Sequence, residues 1–233
     1  MRKMPPWTEK RIEWYQRAVA WNRFDRVLAD HICRFINEGE TVCDMGCGTG
    51  YVAMELARRG YETTAFDMNE VTMAYLRQEV PARGLQDKLS LIEGSWDDLD
   101  VEGMWDNVVM VFAGHMDKEL EKFIRFCRKR LIVIIRESRK SHVQASGITP
   151  QIHTKPADIE KVLRCRRYEM VPVVTEFGQP LESMEEAVEY LKTFGADTES
   201  EKSALKNIIR CFDSEYTYFL PNEKKMRMYV IER

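Results

Sequence analysis

Apolar and polar positions between residues 41 and 136 form short hydrophobic runs separated by amphipathic stretches. Each run is long enough for one strand, and the stretches between the runs have the apolar spacing of helices. Near-continuous apolar strands that alternate with helices are typical of a parallel sheet covered on both faces. The pattern therefore predicts an α/β fold with strands at residues 41–45, 62–66, 88–93, 107–112 and 131–136.

The segments between these runs predict three helices. The first covers 51–59, the second begins after a capping Asn69 and ends before Pro81, and the third covers 117–129. Basic residues around the end of the third helix would lie at the sheet edge opposite the strand carboxyl ends, where they favour a solvated helix terminus. These residues are Arg125, Arg128, Lys129 and Arg130.

The two ends of the chain have a different pattern. Residues 8–38 have helical apolar spacing, with Thr8 as a candidate N-cap and Gly39 as the end, and predict two helices. Beyond residue 153 the pattern predicts helices at 156–164, 183–194 and 199–211 and strands at 168–177 and 225–232. We interpret residues 1–233 as a single domain with an N-terminal helical cap (1–39), a core (40–177), a helical insertion (178–222) and a last strand (223–233).

A glycine-rich turn follows the first predicted strand. Residues 41–50 read TVCDMGCGTG, and the second predicted strand ends in another acid, Asp67. Glycine lets the backbone approach a ligand closely, and a helix that begins behind the turn offers free N–H groups. An acid about 20 residues after such a turn is placed to bind ribose hydroxyls. The segment predicts a site for a nucleoside-bearing cofactor, with a purely structural turn as the alternative.

The residue after the turn narrows the kind of cofactor. Tyr51 stands where the dinucleotide fingerprint requires its third glycine, which argues against a pyrophosphate on this helix start. The string CDMGCGTG resembles motif I of the class I S-adenosylmethionine-dependent methyltransferases, and the similarity extends over about 40–140 and more loosely over 165–177 and 224–232. The resemblance implies a Rossmann-like methyltransferase fold, with a mostly parallel seven-stranded sheet, an antiparallel edge strand and helices on both faces. It also implies S-adenosyl-L-methionine as cofactor.

The same resemblance implies a set of cofactor-binding residues. Asp44 and the turn backbone would hold the amino group and carboxylate of the cofactor, and Asp67 would take the ribose hydroxyls. Where family members commonly carry an acid after the third strand this chain has Ser95, so either the Ser95 hydroxyl or Asp97 would meet the adenine amine. Trp96 would stack on adenine or pack at the rim. The predicted cofactor-binding set is Asp44, Gly46, Cys47, Gly48, Gly50, Asp67, Met68, Ser95, Trp96, Asp97 and Phe112.

Residues for a methyl acceptor follow from the rule that ligands of open α/β sheets bind outside the strand carboxyl ends. The fourth strand ends in VFAGHMD, where His115 is either a general base or a loop histidine bonded to backbone. After the fifth strand, Arg136 and Arg139 either dock a carboxylate- or phosphate-bearing substrate or belong to a charged surface loop. Trp14 and Tyr15 either pack on the core or contact the substrate from an aromatic-rich N-terminal lid.

Composition limits the possible partners. The chain is 44% hydrophobic and 31% charged, with a net charge of −3, whereas nucleic-acid binders usually carry a basic domain or stripe. No apolar leader or membrane-length apolar run is present, so we expect a cytoplasmic protein without a membrane partner. The six cysteines form no C-x-x-C pair, which favours free thiols and no metal site.

These observations predict an enzyme that transfers a methyl group from S-adenosylmethionine to an O or N atom of a small molecule, as a monomer or homodimer. The first alternative is a methyltransferase acting on RNA or protein, which the charge balance disfavours. No D/N-P-P-Y/F-type motif follows the fourth strand, which weakens an amino-methylating nucleic-acid enzyme. The second alternative is a non-catalytic module that binds the cofactor and regulates a partner.

Overall fold

A computed structural model describes residues 7–137, 154–212 and 214–233. Its helices are α1 (Glu9–Asn22), α2 (Phe24–Ile32), α3 (Tyr51–Arg58), α4 (Glu70–Ala82), α5 (Met116–Phe126), α6 (Pro156–Val162), α7 (Met184–Thr193) and α8 (Thr198–Leu205). Its strands are β1 (Val42–Met45), β2 (Thr63–Asp67), β3 (Leu89–Glu93), β4 (Trp105–Val111), β5 (Cys127–Arg136), β6 (Tyr168–Glu176), β7 (Gln179–Leu181), β8 (Ile209–Arg210), β9 (Tyr218–Leu220) and β10 (Glu223–Glu232).

The described residues divide into two compact units. The sheet unit contains 25–137, 154–173 and 225–233. The small unit contains 7–24, 174–212 and 214–224.

Within the described residues the main sheet has seven strands, in the order β3-β2-β1-β4-β5-β10-β6. The strands β1 to β5 pair in parallel, and β10 runs antiparallel to β5. All of β1 and most of β4 and β5 are buried, as expected for strands with helices on both faces. The predicted Rossmann-like methyltransferase fold is confirmed.

Two apolar clusters cover the sheet. The larger one joins β1, β4, β5 and β10 to the apolar faces of α5 and α6, and includes Val108, Phe123 and Ile159. The other joins β2 and β3 to α3 and α4, and includes Ala53, Met73 and Leu76. Burial of these helix faces removes apolar surface from water and holds the strand ends that form the site.

The predicted helix caps are present, and one helix is longer than predicted. The Thr8 hydroxyl accepts the Arg11 N–H at 3.3 Å, and the Asn69 side chain accepts the Thr72 N–H at 3.1 Å. Helix α4 continues through Pro81 to Ala82, because a proline in the last turn removes only its own N–H and Arg83 still bonds the Glu79 carbonyl at 3.0 Å.

The boundary between α5 and β5 differs from the sequence prediction. The helix ends at Phe126, and β5 begins at Cys127 beside Trp105 of β4. The prediction that Arg128, Lys129 and Arg130 end a helix was therefore wrong. These basic residues do not need the negative end of a helix to balance their charge, because acidic side chains are close to them. Lys129 and Arg130 lie 2.9 and 3.7 Å from Glu40 carboxylate oxygens.

The small unit contains a feature that the periodicity did not predict. The first predicted helix is present as α7, whereas the second, α8, ends at Leu205 rather than at residue 211, so its predicted last part was wrong. There β8 pairs with β9 instead, and β7, β9 and β8 form a three-stranded antiparallel sheet among the described residues. Its core surrounds the fully buried Trp14, which packs with Leu181, Leu191 and Leu220. Within the described part of the chain, no helix is long and apolar enough to cross a membrane.

Candidate cofactor and acceptor site

The glycine turn after β1 is held in a left-handed backbone conformation. The N–H groups of Gly46 and Cys47 both donate to the Phe66 carbonyl, at 2.7 and 3.1 Å. Gly46 has φ +75°, and a Cβ there would lie 2.7 Å from the Ala113 Cβ at the end of β4. Gly50 has φ +66°, and a Cβ there would meet Leu76 at 2.5 Å. Conformation and space both favour glycine at these positions, and we call the turn at residues 46–50 the cradle.

Asp67 links the glycine turn to the start of α4. One carboxylate oxygen accepts the Gly48 N–H at 2.7 Å, and the other accepts the Asn69 N–H at 2.8 Å. A carboxylate oxygen can accept more than one hydrogen bond, so both remain able to receive a hydroxyl. The side chain is held in place while keeping the acceptor capacity that ribose hydroxyls need.

Asp44 is a buried acid within β1, 2% exposed. Its Oδ2 accepts the Ala53 N–H at 3.1 Å in the first turn of α3. Burial raises the pKa of Asp44 to about 7, and the negative charge of Asp67 adds to the rise. A nearby cation would favour the ionised form. The ammonium group of S-adenosylmethionine would fit this requirement.

The segment after β3 contains three residues predicted to bind the cofactor. Trp96 lies beside the glycine turn, whereas Ser95 and Asp97 make contacts elsewhere. The Trp96 ring meets Phe123 edge-on at 5.4 Å, and its Cζ3 would lie 3.4 Å from a Cβ on Gly46. The Ser95 hydroxyl accepts the Asp97 N–H at 3.2 Å, and Asp97 pairs with Lys122 of α5. Trp96 thus lies beside the turn, whereas the Ser95 and Asp97 side chains already have partners.

Met68 follows Asp67 at the carboxyl end of β2 and is 68% exposed. Such exposure of a methionine leaves its thioether free to pack on an aromatic ring. Its predicted contact with adenine stays a prediction.

The end of β4 carries a backbone outlier. Phe112 has φ +57°, which is uncommon for a residue with a bulky side chain, and its N–H donates to the Ile134 carbonyl at 2.9 Å. The Arg136 guanidinium lies 4.9 Å from the centre of the Phe112 ring. Backbone strain of this kind persists where surrounding structure imposes it, and it clusters at functional sites.

His115 precedes α5, and the N–H groups of His115 and Met116 both have side-chain partners. The His115 N–H donates to Glu119 at 3.1 Å, and the Met116 N–H donates to the buried Thr154 hydroxyl at 2.8 Å. Sequence analysis missed Thr154. In the sequence, Thr154 is marked only as a polar residue shortly before Pro156. The Met116 N–H that donates to it lies 38 residues earlier in the chain.

Three residues predicted to contact substrate are not among the described residues of the sheet unit. Trp14 and Tyr15 belong to the small unit, where Trp14 is fully buried and Tyr15 contacts the rings of Trp7 and Phe177. Arg139 lies outside the described residues. Roles for these three in substrate binding stay predictions.

A family model described as a methyltransferase domain matches residues 42–132. The match includes the glycine turn, both acids and the end of β4, which are the parts of the fold that meet at one sheet edge. Over residues 42–132 the chain is therefore similar to the methyltransferase-domain family, in agreement with the resemblance of its glycine turn to the class I S-adenosylmethionine-dependent methyltransferases.

Curated relatives of this chain differ in the acceptors that their names state. "Probable protein arginine N-methyltransferase 6.1" of Oryza sativa subsp. indica is 34% identical over 100 residues, which cover 40% of this chain and 26% of the relative. "Probable fatty acid methyltransferase" of Pseudomonas putida is 34% identical over 128 residues, covering 52% and 30%. The chain thus spans about a quarter to a third of the length of these relatives.

A solved structure extends the comparison beyond the glycine turn. Magnesium protoporphyrin IX methyltransferase from Synechocystis PCC 6803, with bound S-adenosylhomocysteine, has a TM-score of 0.55 and 14% sequence identity. The alignment covers 98% of this chain and 89% of that enzyme. At this identity the likeness supports the fold.

Proposed function

We propose that this methyltransferase transfers the methyl group of S-adenosylmethionine to an oxygen or nitrogen atom of a small molecule. The observation that carries the proposal is the convergence of Asp44, the glycine turn and Asp67 at one sheet edge. The net charge of −3 favours a small acceptor over a nucleic acid. The relatives match only 40% and 52% of this chain, so their protein and fatty-acid acceptors do not decide its acceptor.

Each cofactor residue has a separate task in this proposal. Asp67 binds the ribose hydroxyls, and the cradle at Gly46 admits the cofactor close to the backbone. Asp44 balances the ammonium charge, which offsets the burial that raises its pKa to about 7. Trp96 and Met68 contact the adenine.

The bound cofactor supplies a methyl group already activated by a sulfonium charge. The chain then has to align the acceptor atom with that methyl group and keep water away. Phe112, Ala113 and Gly114 shape this space at the end of β4. His115 follows them and would accept the proton of a hydroxyl or amine acceptor.

Calorimetry with S-adenosylmethionine tests the cofactor site. The Asp67→Ala variant should bind about 100-fold more weakly, since each of two lost hydrogen bonds to a charged group is worth about 1.5 kcal/mol. The exposed Asp87 is a matched control, and Asp87→Ala should bind like the unmodified protein. Absence of binding at millimolar cofactor would contradict the proposal, and unchanged binding by Asp67→Ala would contradict the site assignment.

A screen with a labelled methyl donor tests the acceptor class. The purified protein is incubated with labelled S-adenosylmethionine and a cell extract separated into small molecules, protein and RNA. We expect label in the small-molecule fraction. Label in protein or RNA alone would show that the small-molecule assignment is wrong.

A further inference from the structure

Arg136 ends β5 at the same sheet edge as the glycine turn, and its guanidinium contacts an aromatic ring instead of an acid. It lies 4.9 Å from the centre of the Phe112 ring. Among the described residues, no carboxylate pairs with it and no side-chain hydrogen bond fixes it. Other arginines of the sheet unit have acidic partners. Arg130 lies 3.7 Å from Glu40, and Arg167 lies 3.3 Å from Glu232.

The acids nearest in sequence and register are already taken by another arginine. Arg136 faces Met226 across the β5–β10 pair, and the next residue, Arg227, lies 2.8 Å from Glu137 and 2.7 Å from Glu160. The Tyr229 hydroxyl also donates to Glu160 at 2.8 Å. These contacts leave Arg136 as a guanidinium with its charge uncompensated by the described residues.

Phe112 holds this guanidinium at the cost of an unfavourable backbone conformation. A φ of +57° is unfavourable for a bulky residue, and the hydrogen bond from its N–H to the Ile134 carbonyl ties it to β5. A guanidinium over an aromatic ring keeps the N–H donors at its edge available for a planar acceptor. The strained residue therefore orients Arg136 before any ligand arrives.

Two N–H groups at the neighbouring helix end already have side-chain partners. The Met116 N–H donates to Thr154, and the His115 N–H donates to Glu119. An anion near the end of β4 would therefore meet Arg136 rather than these two N–H groups.

We propose that Arg136, stacked on Phe112, binds a carboxylate of the methyl acceptor, so that the acceptor is an anionic small molecule. The inference rests on the proposed methyl transfer. One planar guanidinium matches one planar carboxylate through two parallel hydrogen bonds and balances a single negative charge. The bound carboxylate anchors the acceptor, and a separate O or N atom of the same molecule receives the methyl group.

Ligand titrations on the full chain test this anchor. The protein is saturated with S-adenosylhomocysteine and titrated with acetate, butyrate, benzoate and cinnamate, and then with the four matching amides. We expect at least one carboxylate to bind about tenfold or more tightly than its amide, because only the carboxylate pairs with a guanidinium. Arg136→Gln should remove this preference, and Arg136→Lys should keep part of it, since lysine retains charge without the planar fork.

The matched control is Arg125→Gln, which removes an exposed arginine from α5 and should leave carboxylate binding unchanged. The affinity for S-adenosylhomocysteine is measured for every variant and should not change in Arg136→Gln. This second measurement separates loss of the anchor from loss of folding.

The outcomes distinguish the two proposals. If S-adenosylhomocysteine does not bind, the proposed methyl transfer is wrong and the acceptor assignment is wrong with it. If it binds but no carboxylate does, or if Arg136→Gln binds carboxylates equally well, the anchor alone is wrong. Binding of phenyl phosphate without binding of any carboxylate would also overturn the carboxylate assignment.

Discussion

Two buried acids at the two ends of β1 behave in opposite ways. Glu40, just before the strand, is 5% exposed, and Asp44, within it, is 2% exposed. Burial disfavours the charge of both. At Glu40 hydrogen bonds from Asn107, Lys129 and Asn37 outweigh burial and lower the pKa to about 2. At Asp44 burial dominates over the single bond from Ala53, and the pKa rises to about 7.

We interpret this difference as that between an acid that stabilises the fold and an acid proposed to receive a ligand. Glu40 has partners within the chain on each oxygen, at 2.7 to 3.1 Å. Asp44 has one N–H donor and another acid, Asp67, nearby. A buried charge without enough partners is unfavourable. A cation from outside the chain should therefore stabilise the charge of Asp44 more than that of Glu40.

The largest expected effect concerns Asp44. Its pKa is raised from 3.8 to about 7, so the folded state holds a proton that the unfolded state has released. The resulting stability is present below pH 3.8 and is lost as pH rises towards 7, by up to about 4 kcal/mol. The free energy of urea unfolding, measured without cofactor between pH 4 and 8, should fall with pH relative to Asp44→Asn. A difference between the two proteins that does not change with pH would contradict the raised pKa.

The stability that Glu40 contributes should depend on pH in the direction opposite to that of Asp44. A lowered pKa stabilises the protein above pH 4.5 and ceases to do so as pH falls towards 2. Glu40→Gln should reduce the free energy of unfolding by about 3 kcal/mol at pH 7. The exposed Glu38 is the control, and Glu38→Gln should stay within about 0.5 kcal/mol. Equal effects of the two substitutions would show that the Glu40 pairs add little.

The two acids also differ in how visible they are in the sequence. Asp44 can be predicted as a site residue because it lies two positions before the first glycine of the turn, so its context is local. Glu40 is missed because its side-chain partners Asn107 and Lys129 lie 67 and 89 residues further along the chain. Local motifs identify the parts of a site contributed by one turn, whereas pairs formed by folding need the structure.

The same distinction applies to the secondary structure. Apolar runs of five or six residues predicted the parallel strands, since burial on both faces leaves a continuous signal. Strands β7, β8 and β9 are three, two and three residues long, too short to show alternation. The start of β5 was missed because its charged residues, such as Lys129, are balanced by distant acids rather than by solvent.

The turn that follows Asp44 allows a sharper test of the cradle. Gly46→Ala should cost about 1 kcal/mol for its positive φ plus a similar amount for the overlap with Ala113, 2.7 Å away. Gly84 has φ +66° with nothing within 4 Å, so Gly84→Ala should incur only the backbone cost. The free energy of unfolding is compared for the two variants, together with S-adenosylmethionine affinity, which should weaken only in Gly46→Ala. Equal destabilisation would mean that Ala113 moves away easily and that the cradle is not tight.

Substitution of Asp97 should have the smallest effect. It tests whether an acidic side chain in this segment is enough to identify a cofactor ligand. Its side chain is 70% exposed and pairs with Lys122, so it already has the partner that Asp44 lacks. Asp97→Asn should change S-adenosylmethionine affinity by less than about threefold and stability by less than about 0.5 kcal/mol, as is usual for exposed ion pairs. Calorimetry on Asp97→Asn and Lys122→Met measures both. A loss of about tenfold in Asp97→Asn but not in Lys122→Met would mean that the carboxylate leaves Lys122 to meet the adenine. The adenine contact would then belong to Asp97 rather than to the Ser95 hydroxyl, which caps its own turn.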